Sequence, residues 1–324
     1  MIKINCNYKI KEDIEFLLEA ERINILELSE RTKISRTTLN AILKSNTARS
    51  DVYEKFYSYL YKSNYRLNKI KEEILKENNH NILFHGSKYG LDTVSIDNSR
   101  KNCDFGNGFY LGETYNQALA FICEKDNSCI YSFSFDLKGL KIKHFECNLE
   151  WMLAICYYRG SIEKYASNKI IKKIINDVES SDVIIAPIAD NKMFYIMSQF
   201  TDGEINADVA LHSLSASNLG LQYIFKTEKA LQALIPVEKY YLSNLERENC
   251  KNSLNERAYE IDTKLKLAKR NFRDGLYIEE ILKWKNLITL DYYLPNIKES
   301  FLKNHMIYLV HLLFSLEDSF IHLY

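Results

Sequence analysis

The sequence is poor in the residues that break structure. Only 3 of its 324 residues are proline and 10 are glycine, which leaves no composition for a long linker or a collagenous or low-complexity tract. Folded modules joined by short connections are expected, and the length suits two or three of them. Net charge is also missing: 43 Lys and Arg balance 43 Asp and Glu. That balance removes any bulk electrostatic drive toward nucleic acid and leaves only a local surface to bind it. No apolar run approaches the roughly 20 residues that cross a bilayer, and the chain goes directly into the charged stretch KIKEDIEFLLEAER. A cytoplasmic protein without a membrane partner is the expectation. Seven cysteines (Cys6, Cys103, Cys123, Cys129, Cys147, Cys156 and Cys250) are odd in number and lack C-x-x-C spacing, which reads as reduced thiols. H-E-x-x-H, clustered Cys and His, Asp-rich loops and the G-x-x-x-x-G-K-[ST] loop are all absent, so no metal is expected.

What is present begins with a helical block over residues 1–78. A first helix is expected over Lys11 to Glu21. After Asn24, apolar residues at Leu26, Leu28, Ile34, Leu39 and Ile42 are interrupted by a polar break from Thr32 to Ser35, the pattern of a helix-turn-helix. It resembles the phage-repressor type of helix-turn-helix domain, whose second helix starts here near Ser35. In that geometry Ser35, Arg36, Thr37, Thr38 and Asn40 face the major groove, where Arg reads guanine and Asn reads adenine. The alternative is that the same small bundle serves protein contacts or dimerisation. A long helix is then expected from Asp51 to Glu77, with Phe56, Leu60, Leu67, Ile70 and Ile74 on one side, ending in the polar boundary KENNHN.

Residues 79–243 carry the chemistry. The run Ile82-Leu83-Phe84 breaks into His85-Gly86-Ser87, as a buried strand emptying into a polar loop does, and Gly86 permits a close approach to the main chain. Farther on, Gly106 and Gly108 bracket Asn107, Phe109-Tyr110-Leu111 alternates as a strand, and Thr114 is placed to cap a helix running to about Glu124. Taken singly, a histidine after a strand or a Gly-x-Gly turn is more often structural than functional. Cys129 to Leu137 and Val183 to Ile188 read as further strands. Leu149 to Tyr158, Tyr165 to Val178, Met193 to Phe200 and Ala207 to Ser215 read as helices. The polar loop Ala189 to Lys192 is either a surface turn or a wall facing cofactor or acceptor.

The order HGS, then FGNGFYL, then GLQYIFKTEKAL resembles the ADP-ribosyltransferase superfamily, in the poly(ADP-ribose) polymerase-like branch and its bacterial relatives. The resemblance covers roughly Asn81 to Ser243. It implies an α+β fold with an ADP-ribosyltransferase-like split β-sheet core, and NAD as substrate. By resemblance, His85 bonds the adenosine-side ribose hydroxyls, Gly86 fixes the nicotinamide carboxamide with Ser87 beside it, and Tyr110 offers a flat face to the nicotinamide ring. Phe121 either supplies the opposite face or packs in the core. The family's catalytic His, Tyr and Glu correspond to His85, Tyr110 and Gln222, so this chain has an amide in the acid's place. Glutamine can bond a ribose hydroxyl but offers no charge to an oxocarbenium-like centre and no general base. Glu113 and Glu228 are the acids that could compensate, although an acid in the first turn of a helix, as expected for Glu228, simply suits the dipole.

Residues 244–324 read as a helical region, with Ile261, Leu265 and Ala268 in one helix, Ile278, Ile281, Leu282 and Ile288 in the next and Phe301 to Leu316 in a third. Their apolar faces, including Met306 to Phe314, suit core, a protein partner, a homodimer or a lid. Three functional expectations follow. The first is an NAD-dependent mono-ADP-ribosyltransferase acting on nucleic acid or a nucleic-acid-associated protein, a kind the resemblance associates with bacterial toxins and defence effectors. The second is a DNA-binding regulator whose nucleotide pocket senses NAD without turnover. The third is an interaction protein with a decayed pocket.

Overall fold

The computed structural model describes residues 2–78, 81–96, 99, 102–215 and 219–283, which form a mixed α+β structure. The expected helix over Phe301 to Leu316, with Ile288 and the Met306 to Phe314 run, lies outside the described residues.

A short strand, β1 (Ile2–Lys3), precedes five helices: α1 (Ile10–Glu21), α2 (Ile25–Thr32), α3 (Arg36–Ser45), α4 (Ser50–Lys62) and α5 (Leu67–Asn78). Asn24 starts α2 with a capping box, accepting from the Leu26 and Glu27 amides while the Glu27 carboxylate accepts from its own N–H. Ser35 starts α3 by accepting from the Thr38 amide at 3.1 Å. Between them Lys33 takes a left-handed conformation with φ 58°, making the sharp turn the sequence indicated. Leu28, Ile34, Leu39 and Ile42 are buried with Ile10, Ile14, Phe56 and Leu60. Leu26 is not, at 48% exposed, because it lies in the first turn of α2 on the outward side.

The single long helix expected from Asp51 to Glu77 is two helices. Asn64, at φ 60°, ends the first, and Arg66 seals the break by donating to the Tyr61 carbonyl at 2.8 Å and stacking on the Tyr61 ring. The face of α5 is also different from the expected one: Ile74 is exposed, while Asn68 and Glu72 are buried. Polar groups turn inward there because partners await them, Asn68 donating to the Tyr115 hydroxyl at 2.8 Å and Glu72 accepting from the Tyr115 amide at 3.2 Å.

The remainder comprises β2 (Ile82–Ser87), β3 (Thr93–Val94), β4 (Phe109–Gly112), α6 (Tyr115–Ile122), β5 (Cys129–Phe135), β6 (Ile142–His144), α7 (Leu149–Tyr158), α8 (Lys169–Glu179), β7 (Val183–Pro187), α9 (Asn191–Thr201), α10 (Ala207–Ser215), β8 (Leu221–Phe225), α11 (Glu228–Leu231), β9 (Leu234–Tyr241), α12 (Asn244–Asn271) and α13 (Ile278–Lys283). Helix α8 starts later than the expected Tyr165, since Asn168 is its N-cap. Seven strands form one sheet in the order β6-β7-β8-β4-β2-β5-β9, with β6 and β7 parallel and the other neighbours antiparallel. Strand β9 was unexpected because Pro236 interrupts its pattern; as an edge strand it tolerates a residue with no N–H.

Side chains alternate across this sheet and build two cores. One face carries Ile184, Ala186, Tyr110 and Ile224 under α7, α8, α9 and α10. The opposite face carries Leu83, Phe109, Leu111, Tyr131, Phe133, Ile185 and Phe225. Strand β5, between β2 and β9, is buried on both sides over most of its length, which hides the simple alternation its sequence suggests.

The N-terminal bundle packs on the β9 edge. Tyr241 meets the rings of Tyr53 and Tyr57 with centroids 5.3 and 5.1 Å apart. Beside them the Lys71 ammonium lies between the carboxylates of Asp13, at 2.8 Å, and Glu238, both of which are 4% exposed. Removing the cation strands two buried carboxylates, so Lys71→Met should cost about 3 to 5 kcal/mol of stability. Urea unfolding measures this, and a loss below about 1 kcal/mol, the size of a surface pair, would contradict it.

Candidate functional site

The three motif strands are consecutive in the sheet, β8 beside β4 and β4 beside β2. Their pairing is uneven. Strand β4 pairs with β8 from Phe109↔Phe225 to Gly112↔Gln222, whereas β4 and β2 pair only at Phe84↔Gly112. Beyond that point β2 continues along β5 to Ser87↔Cys129, so a seam opens between β2 and β4.

His85 stands in the seam. Its Nδ1 lies 2.8 Å from the Tyr110 carbonyl oxygen, and since a carbonyl only accepts, Nδ1 carries the proton and Nε2 is left as an acceptor. The imidazole stacks on Phe109 with centroids 4.4 Å apart, and its cross-strand neighbour is Tyr131. This apolar enclosure pulls the His85 pKa down to about 4, although the bond to Tyr110 opposes the shift. The imidazole is therefore neutral at pH 7.

Tyr110, the next residue after Phe109, points to the other face of the sheet. Its hydroxyl donates to the Gly106 carbonyl at 2.7 Å and accepts from the Phe105 amide at 3.1 Å, closing the preceding loop onto the ring. Gly106 permits that closure with φ +73°. Burial raises the Tyr110 pKa far above its usual value, so the hydroxyl is protonated. His85, Gly86 and Tyr110 each retain some exposed surface.

The sequence suggests ligand approach at Gly86, but on its side-chain side the space is taken by α6. A Cβ there would stand 2.6 Å from the Ala118 carbonyl oxygen, so the glycine lets helix and strand touch. Ser87 is buried and donates to the Gly90 carbonyl at 2.8 Å, shaping the turn after β2. Phe121 does not pack in the core: it is 60% exposed, on the same helix and within one turn of Ala118 and Ile122, which flank Gly86. Thr114 caps α6 as expected, in a capping box with Gln117.

Gln222 is 4% exposed and shares a sheet face with Tyr110. Its Nε2 donates to Asp104 Oδ2 at 2.8 Å and to the Pro187 carbonyl at 3.1 Å. Asp104 in turn accepts from Arg159 Nε at 2.7 Å. Arg159 also donates to the Ala189 carbonyl at 3.1 Å and lies over the Phe194 ring at 4.6 Å. Neither Asp104 nor Arg159 is marked by a motif in the sequence. The one available signal is an acid beside the FGNGFYL motif, while the partner is contributed by the end of α7.

Of the two compensating acids, Glu113 lies next to the Gln222 strand and Glu228 lies apart from it. Glu113 accepts from the Leu221 amide at 3.0 Å, and Glu228 is exposed in the first turn of α11 behind its Thr227 cap. Of the loop Ala189 to Lys192, only the Ala189 carbonyl meets Arg159, while Asp190 caps α9 and Lys192 pairs with Asp262; Pro187 is the last residue of β7. A cavity of about 490 Å³ lined by Lys164, Tyr165, Asp202, Tyr277 and Glu280 contains none of the motif residues.

On the N-terminal bundle, Ser35, Arg36, Thr37 and Asn40 are exposed in one row with Lys44. Thr38 is partly buried and its hydroxyl bonds that of Ser35 at 2.8 Å. Helix α3 packs on α1 and α2, whereas α4 and α5 contact α12 and α6, so the row is turned away from the sheet. Among the described residues no cluster of His, Cys, Asp and Glu could hold a metal, and no helix is long and apolar enough to cross a membrane.

The depressed histidine pKa has a measurable consequence. The unfolded state protonates near pH 6.5 and the folded state near pH 4, so stability is lost as pH falls through that window, by up to about 3 kcal/mol. Urea unfolding of the wild type and of His85→Gln should diverge between pH 7 and pH 4.5, the wild type losing more. Parallel curves would mean that the imidazole is not held neutral.

Residues 81–235 match the model of a family described as a protein of unknown function (DUF3990). The match begins at β2 and ends within β9, so it contains His85, Tyr110, Asp104, Arg159 and Gln222 and excludes the N-terminal bundle. No curated protein and no solved structure matches the chain.

Proposed function

We propose that the chain is an NAD-dependent mono-ADP-ribosyltransferase with an ADP-ribosyltransferase-like split-sheet core. The observation that carries this reading is the seam between β2 and β4, with His85, Gly86 and Tyr110 at its partly open edge and Gln222 on the adjoining strand β8. Phe121, 60% exposed, stands one helical turn from the Gly86 contact and offers an uncovered aromatic face there.

In this reading the nicotinamide lies between Tyr110 and Phe121, its carboxamide held by the Gly86 main chain. The lone pair on His85 Nε2 accepts from a ribose hydroxyl, and Gln222 accepts from another. The bond from the ribose C1′ to the nicotinamide nitrogen breaks, and its electron pair leaves with neutral nicotinamide. A nucleophile on the acceptor then bonds C1′ and loses its proton to solvent. Protein, RNA and DNA acceptors differ in how readily they attack, and an uncharged Gln222 suits an acceptor that is already nucleophilic. The setting of a bacterial toxin or defence effector fits such a transferase.

A second reading is a DNA-binding regulator that senses NAD without turnover. It is favoured by the occupied amide of Gln222, whose Nε2 is held by Asp104 and Pro187. In both readings the exposed row Ser35, Arg36, Thr37, Asn40 faces nucleic acid, with Thr38 bracing its start.

Incubation with labelled NAD and protein, RNA or DNA acceptors tests the first reading. Label should pass to one acceptor class, and Phe121→Ala should weaken NAD binding about threefold to tenfold, the worth of one aromatic stack. Its melting temperature should hold, because the side chain is exposed. NAD binding without transfer or nicotinamide release would favour the sensor, and no NAD binding would remove both. For the bundle, Arg36→Ala should weaken DNA binding and reduce its salt dependence by about one ion; an unchanged salt slope would assign the row to a protein partner.

A further inference from the structure

We propose that Asp104 and Arg159 are positioning residues that fix the Gln222 amide with its oxygen toward the ribose of NAD, an inference that rests on the NAD reading above. The orientation follows from the partners. An ionised carboxylate and a peptide carbonyl can only accept, so the two groups 2.8 and 3.1 Å from Nε2 require the –NH2 end of the amide there. Turned over, Oε1 would face two acceptors with no proton between them.

Neither acceptor is free to adapt. Arg159 grips the second oxygen of Asp104 at 2.7 Å and is itself anchored on the Ala189 carbonyl and the Phe194 ring. The Pro187 carbonyl is held by the Trp151 indole N–H at 3.1 Å, and Trp151 is completely buried. The fixed groups thus form a chain from the α7 and β7 side of the core to one amide. At its end, Oε1 of Gln222 receives no hydrogen bond from any described residue, on the sheet face that Tyr110 shares. A fixed acceptor of this kind recognises a hydroxyl donor, and a ribose supplies one. The carboxylate behind the amide is what a Glu at this position would meet, so the two positions specify each other.

The test is a cycle of variants read by melting, NAD binding and nicotinamide release. In Asp104→Asn, Arg159 retains the Asn oxygen, so the new –NH2 opposes that of Gln222 and turns the amide over. In Gln222→Glu two carboxylates confront each other. Each single change should weaken NAD binding about tenfold or more. The double variant Asp104→Asn, Gln222→Glu restores a donor facing an acceptor at position 104, although a carboxylate oxygen still meets the Pro187 carbonyl; it should bind NAD more tightly than either single variant and release nicotinamide faster than the wild type. Arg159→Lys keeps the charge and loses the two-pronged grip, and it should share the loss of NAD affinity while still melting cooperatively. The inference is overturned if Asp104→Asn and Arg159→Lys bind NAD as the wild type does, or if the double variant is no better than the weaker single one. A wild type that neither binds NAD nor releases nicotinamide overturns the functional reading and the inference together.

Discussion

The bond from the His85 imidazole to the Tyr110 carbonyl, 2.8 Å long, stands where a backbone ladder would otherwise run. Two central strands that part leave peptide groups without partners, and a buried unpaired carbonyl costs about as much as a lost hydrogen bond. A ring nitrogen satisfies this one. Because β2 and β4 pair at Phe84↔Gly112 alone, the side chain takes over the ladder's role and holds the parted strands at a fixed distance. The same bond selects the histidine tautomer, and burial keeps the ring neutral. The seam therefore depends on one uncharged imidazole, and everything placed around it inherits that geometry. The β4 alternation then sends Phe109 to one face with His85 and Tyr110 to the other, where Gln222 is waiting on β8.

The elements that the sequence announced are those whose pattern and burial agree. ILFHGS, FYLG and LQYIF show short apolar or alternating runs bounded by glycine or polar residues, and they became β2, β4 and β8. Thr114, Asn24 and Ser35 are caps whose side chains bond within three residues, so local sequence contains the whole interaction. The failures are non-local. Asn68 and Glu72 look like the solvent face of α5 until Tyr115 is brought to them. Asp104 and Gln222 are 118 residues apart and Asp104 and Arg159 are 55 apart, and no period or spacing relates such positions. Phe121 failed in the opposite sense: an aromatic residue in an apolar stretch reads as core, yet α6 turns it outward.

The join between bundle and sheet shows why this chain uses so many tyrosines, 23 in all. A surface that must bury area and still satisfy polar groups favours a ring with a hydroxyl at its tip. Tyr57 stacks with Tyr241 and donates to Asp13, and Tyr241 donates to Glu54 at 3.1 Å while its ring meets Tyr53. Tyr115 reaches across to Glu246 at the start of α12 at 3.0 Å, in a pocket so enclosed that burial lifts the Glu246 pKa to about 7 despite bonds from Tyr115 and Asn68. Helices α5, α6 and α12 meet at this one polar point. The exposed row on α3 is carried by the side of the bundle that takes no part in the join.

The surroundings of position 222 suit an amide better than an acid. Asp104 is already buried against the single guanidinium of Arg159. A second carboxylate at 2.8 Å would share that one cation, and one of the pair would have to hold its proton to be tolerated. Glutamine avoids the conflict by donating to Asp104 with one end and keeping an acceptor at the other. The exchange has a chemical consequence for the proposed transfer. The negative charge that would face an oxocarbenium-like ribose is set one hydrogen bond farther back and is partly neutralised by Arg159, so it stabilises the cation less than a carboxylate in contact would. In the proposed transfer, an amide here would keep hydroxyl recognition while charge stabilisation falls, which suits single transfers to a reactive acceptor better than rapid elongation on weakly nucleophilic sugar hydroxyls.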